Sequence, residues 1–341
     1  MIIVINDVPG MAADPAKSKA FNNILMAFGE GKHVLWMPSK KITEIIESGV
    51  VVGHNLQVLY ELKERSRLTR SIIDNFDFFV DVDFSSPHSS GFVAPNRLSV
   101  SFSHFVNSAS VQFPIFLAEN LSDIDFYLFG SRAHLRDAKL LSSYDVRFRH
   151  VSGGGNTTIN SFVYHLSQNE LVLCILDSDK NHPAAGLQNT AARFSAYPLG
   201  WGSNYWLHIL DCTEAENLVP WRIVETVLSE TPGFNCEKFR ALSPELRRFV
   251  DHKKGLTLSD ALATDALHGS VFWGAFFSEE ADPQSWIFEP LGNRFLEKCI
   301  EQMREISVHK LAEMIDERDE LYMNISRMVA SWGIGPKSAI R

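Results

Sequence analysis

The sequence predicts an α/β protein: a mainly parallel sheet flanked by helices, preceded by an N-terminal α/β or α+β domain and followed by a mostly helical C-terminal region. Three observations carry this prediction. Between Phe113 and Ser229, short apolar runs alternate with segments of helical spacing, the pattern of parallel strands joined by crossover helices. The run Leu171 to Leu176 is apolar throughout, as a strand covered on both faces requires. From about residue 256 onward, apolar residues recur mainly at helical spacing.

Residues 1–110 form the first expected domain. Ile2 to Ile5 reads as a strand, Ala20 to Phe28 as a helix and Phe76 to Val82 as another strand. The turn-rich SSPHSSG and the β-patterned LSVSFSHF follow. The second domain, 111–255, opens with a strand from Phe113 to Ala118 and a helix from Leu121 to about Lys139. A strand from Asp145 to Val151 comes next. The glycine loop Gly153 to Gly155 then leads into a helix from Thr157 to Ser167, capped by Asn156 or Thr157. After Leu171 to Leu176 comes a looser stretch with Pro183 and Pro198, then a strand from Tyr205 to Leu210. The helix expected from Glu216 to about Ser229 tolerates Pro220 only in its first turn. In the third region, 256–341, Phe295, Leu296, Cys299, Ile300 and Met303 make one helical stripe, which reads as core rather than as a partner groove.

The chemistry gathers where these strands end. Asp177 and Asp179 follow the Leu171–Leu176 run, at the carboxyl end where open α/β sheets place ligands. Two carboxylates about 4 Å apart repel by roughly 4 kcal/mol at an effective dielectric of 20, so something cationic must balance them. Mg²⁺ or Mn²⁺ suits hard carboxylate oxygens and keeps positions open for water and phosphate. Glu119 directly follows the strand ending at Ala118, and Asp123 lies in the first turn of the next helix. Plain helix capping or dipole compensation is the rival role for Asp123. DCTEAENLVP adds Asp211, Glu214 and Glu216 at the end of a further strand.

Composition sets the class. The 341 residues are 45% apolar and 21% charged, ordinary for a globular protein and long enough for two domains. No apolar run approaches membrane length, and MIIVINDVPG lacks the basic start of a secretory signal, so a cytoplasmic protein is expected. Cys174, Cys212, Cys236 and Cys299 are scattered without a CxxC pair, which argues against a zinc site or disulfide framework. The formal net charge of -9 disfavours a passive nucleic-acid coat but not a nuclease, which concentrates acid at its centre. Local basic clusters, such as Lys63 to Arg70 and Lys253 with Lys254, read either as nucleic-acid contacts or as solvated faces.

The order of these residues resembles the Toprim domain, the metal-binding fold of type IA and II topoisomerases, bacterial primases and OLD-like nucleases. Glu119 stands at the family's glutamate, Gly153 to Gly155 at its loop, and Asp177 with Asp179 at its Asp-x-Asp, over roughly residues 111–255. The resemblance implies a Mg²⁺ or Mn²⁺ centre and a nuclease acting on DNA or RNA. It also implies a further metal ligand from Glu214 or Glu216 and a lysine near the scissile phosphate. A helix start turns residues two apart to different sides, so only one of the two glutamates is expected to face the crevice, and Glu216, directly preceding the helical segment, is favoured. That lysine is Lys254 or its neighbour Lys253, with Lys254 placed among the catalytic residues beside Glu119, Asp177 and Asp179. The family's usual Gly after the glutamate is Asn120 here, and no GxxxxGK[ST] occurs, so any nucleotide hydrolysis needs a partner. Stand-alone Toprim nucleases of this sort are often effectors of bacterial anti-phage systems, paired with a sensing ATPase. The alternative is a non-catalytic Toprim-like protein that binds nucleic acid or a partner subunit.

Two other constellations compete. Asp81 and Asp83, with Asp7 and Glu44, imitate the acidic centre of a PIN-type ribonuclease, though solvated strand ends are the preferred reading. His150 and His182 flank the glycine loop and the Asp pair as candidate phosphate contacts. Ser161, Ser178 and Cys174 lack a base-and-acid arrangement, so triad chemistry is not supported.

Overall fold

The chain enters its first sheet at Ile2–Val4 (β1), which is buried at every position. The computed structural model describes residues 1–87, 90–229, 236–277 and 282–340; the side chains of Cys236, Lys238 and Ala241 and part of the turn at 85–91 lie outside the description. After β1 come a helix at Pro15–Gly29 (α1), a strand at Val34–Trp36 (β2), helices at Ser39–Ser48 (α2) and His54–Ile72 (α3), and strands at Phe79–Asp83 (β3), Ser90–Ala94 (β4) and Arg97–Ser101 (β5). The sheet order is β2-β1-β3-β5-β4, parallel except for β4. The first helix starts five residues before its expected Ala20. The Asp14 carboxylate accepts from the N–H groups of Ala16 and Lys17, and Pro15 supplies a preset first turn.

The second sheet is built from Ile115–Ala118 (β6), Arg149–Ser152 (β8), Val172–Leu176 (β9), Gly200–Trp201 (β10) and Tyr205–Ile209 (β11), with Tyr144–Val146 (β7) lying outside it. Its order is β10-β11-β9-β6-β8, and all pairings are parallel except β10 with β11. Helices Leu121–Asp137 (α4), Thr158–Ser167 (α5), Asn189–Ala192 (α6), Trp221–Ser229 (α7), Cys236–Ala241 (α8) and Pro244–Arg247 (α9) accompany it. Every residue of β6 and of β9 is buried, as the uninterrupted apolar runs require.

Two elements differ from expectation. The strand expected from Asp145 to Val151 is broken: β7 pairs with a distant segment, while β8 joins β6. Between them the Arg147 N–H bonds to Gly333 O, so the chain changes partners there. The helix expected from Glu216 is also split, into a short 3₁₀ turn at Ala215–Leu218 and α7. Pro220 stands just ahead of α7, where its carbonyl accepts from Ile223 and Val224 and its missing N–H costs nothing.

The final region holds a small pair, Leu256–Thr257 (β12) with Trp286–Phe288 (β13), and helices Leu258–His268 (α10), Phe295–Glu305 (α11), Val308–Met314 (α12) and Glu320–Gly333 (α13). It ends in Ile334–Pro336 (β14), the partner of β7. The stripe Phe295, Leu296, Cys299, Ile300 and Met303 is buried on α11. Helix α13 crosses α4 at Gly130, where an added Cβ would lie 2.1 Å from Ser326 Oγ, and Tyr322 donates to Phe126 O at 2.9 Å. Phe78 of the first region stacks on Trp206 of β11, ring centres 5.5 Å apart. One hydrophobic core therefore runs through all three segments. Among the described residues, no helix is long and apolar enough to cross a membrane.

Candidate metal centre

In the second sheet β8 lies on one side of β6 and β9 on the other, so the strand order reverses between β6 and β9. Open α/β sheets form a ligand crevice at the carboxyl ends of such a pair, because the outgoing connections diverge there. Glu119 follows β6 and Asp177 follows β9, and the register Ile115↔Val172 to Leu117↔Cys174 brings these ends alongside one another. Strand conformation stops at Leu176, so Asp179 is not placed by strand alternation. It adopts a left-handed backbone, φ 54°, held by its N–H bond to Thr213 O at 3.0 Å. Ser178 Oγ adds a bond to Cys212 O at 2.6 Å, which stitches the Asp pair to the loop after β11.

Each carboxylate of this crevice has a specific local support. Asp177 Oδ1 accepts from the Ala215 N–H at 3.1 Å. Glu119 Oε2 accepts from Thr190 Oγ1 at 3.2 Å, and Asp179 Oδ2 from Asn189 Nδ2 at 3.2 Å. Asp123 Oδ2 accepts from the Asn120 N–H at 3.0 Å, so it performs the capping role while lying buried beside the other acids. The glycine loop packs against the end of β6: the Gly153 N–H bonds to Ala118 O and the Gly154 N–H to Glu119 O. Gly154 and Gly155 both take positive φ, 69° and 64°, which explains two consecutive glycines beside Glu119.

Glu214 and Glu216 enter from the loop after β11, and both are buried. The sequence expectation that only one faces the crevice is corrected here: Lys253 Nζ lies 2.8 Å from Glu214 Oε2 and 2.9 Å from Glu216 Oε1. Lys254, expected among the catalytic residues, instead bonds Asp251 at 3.0 Å with its side chain 83% exposed. The physical reason is the tight turn at 251–255. The Asp251 carboxylate accepts from the N–H groups of both lysines, and the two side chains leave that turn in different directions.

The charges do not balance. Burial, and then the neighbouring Asp123, Glu216, Glu119 and Glu214, push Asp177 well above the usual carboxylate range. Burial raises Asp123 to about 6 and Glu214 to about 7, with Glu216 adding to both. Glu119 is raised too, by burial first, although Thr190 and Lys253 pull against it. Burial opposes the charge of Lys253, but Glu216 and Glu214 outweigh it and hold the ammonium protonated. Lys253 thus pairs directly with Glu214 and Glu216 and also pulls on Glu119 and Asp123.

No protein-family model, curated protein or solved structure matches this chain. The functional argument therefore rests on the crevice itself. Its donors are carboxylate oxygens, the chemistry Mg²⁺ and Mn²⁺ prefer, and Glu119 Oε1 and Glu214 Oε1 are buried without a hydrogen-bond partner. The donor type and the two orphaned oxygens suit a divalent ion, but the arrangement of the side chains does not. Among the described residues, no three His, Cys, Asp or Glu side chains stand in an arrangement that could hold an ion.

Thr190 and Asn189 escaped the sequence analysis, because α6 is only four residues long and its Asn-Thr pair has no distinguishing pattern. Asn217 escaped it as well. Its Nδ2 donates to Arg247 O at 2.7 Å and Val250 O at 2.8 Å, tying the Glu214–Glu216 loop to the segment that carries Lys253. The two histidines differ in surroundings: His182 is buried 3.3 Å from Asp265 and stacked on His268, whereas His150 lies exposed on β8.

Proposed function

We propose that this chain is a divalent-metal-dependent nuclease of Toprim-like design. The observation that carries the proposal is the convergence of Glu119 and Asp177 on neighbouring parallel strand ends at the reversal of strand order, with Asp179, Asp123, Glu214, Glu216 and Lys253 around them. Glu119, Asp177 and Asp179 would hold Mg²⁺ or Mn²⁺. When bound, the ion supplies a water activated for attack and positive charge against the phosphate oxygens. Thr190 and Asn189 orient two of those carboxylates, leaving Glu119 Oε1 free to bind. Lys253 supplies a fixed ammonium to an anionic substrate at the same crevice. Protons held by the raised carboxyl groups must leave as metal enters, so affinity rises with pH.

By resemblance, the role is that of a bacterial anti-phage effector activated by a partner ATPase or sensor. A second reading is a Toprim-like protein that binds nucleic acid or a partner without cleaving it; the pairing of both Glu214 and Glu216 with Lys253 favours it. Purified chain incubated with plasmid, single-stranded DNA and tRNA in Mn²⁺ separates the two. Metal-dependent cleavage that disappears in Asp177→Asn supports the nuclease. Binding without cleavage, in the presence of the activating partner, rejects it.

A further inference from the structure

Arg247, the last residue of α9, is a buried cation without a counter-charge in contact. It is 4% exposed and forms no ion pair among the described residues. Its Nη2 donates to Val219 O, and the guanidinium centre stands 4.5 Å from the Trp221 ring and 5.3 Å from the Phe239 ring. Nε, however, is buried with no hydrogen-bond partner. Ring faces attract a guanidinium, yet a buried N–H left unbonded still costs free energy. Burial lowers the group to about 10 against the pull of Asp319, so it stays charged at neutral pH.

Arg247 lines a cavity of about 120 Å³, roughly the room of four waters, together with Arg248, Arg318 and the first turn of α13. Arg248 has no ion pair among the described residues either, whereas Arg318 is held by Asp316 at 2.8 Å. The buried carboxylate of the lining, Asp319, is already engaged: it accepts from the Trp221 N–H at 3.0 Å and the Asp316 N–H at 3.1 Å. It leaves α13, 14 residues long, without a side-chain cap beside the cavity. Glu317 and Glu320, also on the lining, are exposed to solvent.

We propose that this cavity binds a single phosphate group, either free phosphate or the terminal phosphate of a nucleotide chain. Arg247 and Arg248 supply charge-assisted hydrogen bonds, and α13 supplies N–H groups at the positive end of its dipole. The exposed Glu317 and Glu320 repel a polyanion, which favours one phosphate over a length of nucleic-acid backbone. No metal takes part, so the site stands or falls apart from the acidic crevice.

The test is calorimetric titration of the full chain with inorganic phosphate in EDTA. Wild type should bind one equivalent. Arg248→Gln should weaken binding by about tenfold, as loss of a charge-assisted contact does, and Arg247→Lys, which keeps the charge but not the fork, should weaken it as well. Arg67→Gln, on the exposed side of α3, should bind as wild type does. A 5′-phosphorylated oligonucleotide that binds more tightly than its 5′-hydroxyl twin, with the difference lost in Arg248→Gln, assigns the phosphate to a chain end. Equal binding of the twins, beside saturable phosphate binding, assigns it to the free anion. Absence of saturable binding of either phosphate form by wild type overturns the proposal. Equal binding by wild type and Arg248→Gln, with the fold intact by circular dichroism, overturns it too, whether or not Arg247→Lys folds.

Discussion

The two large sheets of this protein are alike in design and differ in what they do with acid. Each has five strands, mostly parallel, and each reverses its strand order beside its first strand, β1 in one and β6 in the other. Each also carries carboxylates near that reversal. In the first sheet Lys41 lies 3.2 Å from Asp7 and 3.1 Å from Glu44, while Asp81 has Arg97 at 3.9 Å and accepts from Asn6 Nδ2 at 2.9 Å. Asp7 and Asn6 are exposed to solvent, and the ion pairs there are of the surface kind. In the second sheet the acids are more deeply buried, and one lysine is shared by Glu214 and Glu216. The same Asp-x-Asp pattern therefore stands in two settings: Asp81 has a cation of its own in Arg97, whereas burial and four neighbouring acids crowd Asp177.

This contrast can be broken most directly through activity. Asp177→Asn and Asp179→Asn should each lower Mn²⁺-dependent cleavage by about a hundredfold or more, since the charge that holds the ion is gone. Asp83→Asn should stay within about twofold of wild type, as a surface-type change does. Comparable losses in both sheets, measured as initial rates on one substrate, would place the chemistry elsewhere.

The next effect concerns pH and needs no substrate. Asp123 titrates near 6 in the folded protein, above the carboxylate range of an unfolded chain, so the folded state holds its proton longer. The wild type must then lose stability as pH rises from about 4 through 6, and remain less stable above that. Replacing the group by Asn removes the loss, so in EDTA Asp123→Asn should gain on wild type with rising pH, by about 3 kcal/mol at most. Urea denaturation at pH 4.5 and 7.5 measures the difference, and parallel curves for wild type and Asp123→Asn would remove the proposed charge crowding.

Metal should stabilise only through the second sheet. At a Mn²⁺ concentration one hundred times the dissociation constant, the wild type should gain about 2.7 kcal/mol. Asp177→Asn should lose that gain in a thermal scan, and Asp81→Asn should keep it. A finer comparison uses hydroxyls that hold acids in each sheet. Thr190→Val removes the bond to Glu119 and should weaken Mn²⁺ binding by about fivefold, corresponding to about 1 kcal/mol. Ser85→Ala, which removes the bond to Asp83, should leave binding unchanged.

Much of the architecture was legible because burial imposes local patterns. Leu171–Leu176 had to be covered on both faces, and β9 is. The stripe on α11 had to meet the core, and it does. Helix α4 begins at Leu121, as expected, and ends two residues short of Lys139. The signals at strand ends were also local: an acid after β6, glycines after β8, two acids after β9. Errors came where a second partner intervened, as when β14 captured β7 and split a strand that was continuous in hydropathy. Asp14 with Pro15 was a readable start for α1, and the polar KSK that follows obscured it.

By itself, then, the sequence determined the strand and helix types, the buried faces and the presence of acids at strand ends, because side-chain periodicity depends on neighbours a few residues away. Only the tertiary structure decided that β6 lies against β9, which brings Glu119 beside Asp177. It also decided that Lys253 rather than Lys254 turns inward, and that Glu214 and Glu216 share one ammonium. It set Thr190 on Glu119 from 71 positions away. These outcomes depend on pairings between distant segments and on the single conformation of the 251–255 turn. Two adjacent lysines with the same local chemistry differ only in what the folded chain places in front of them.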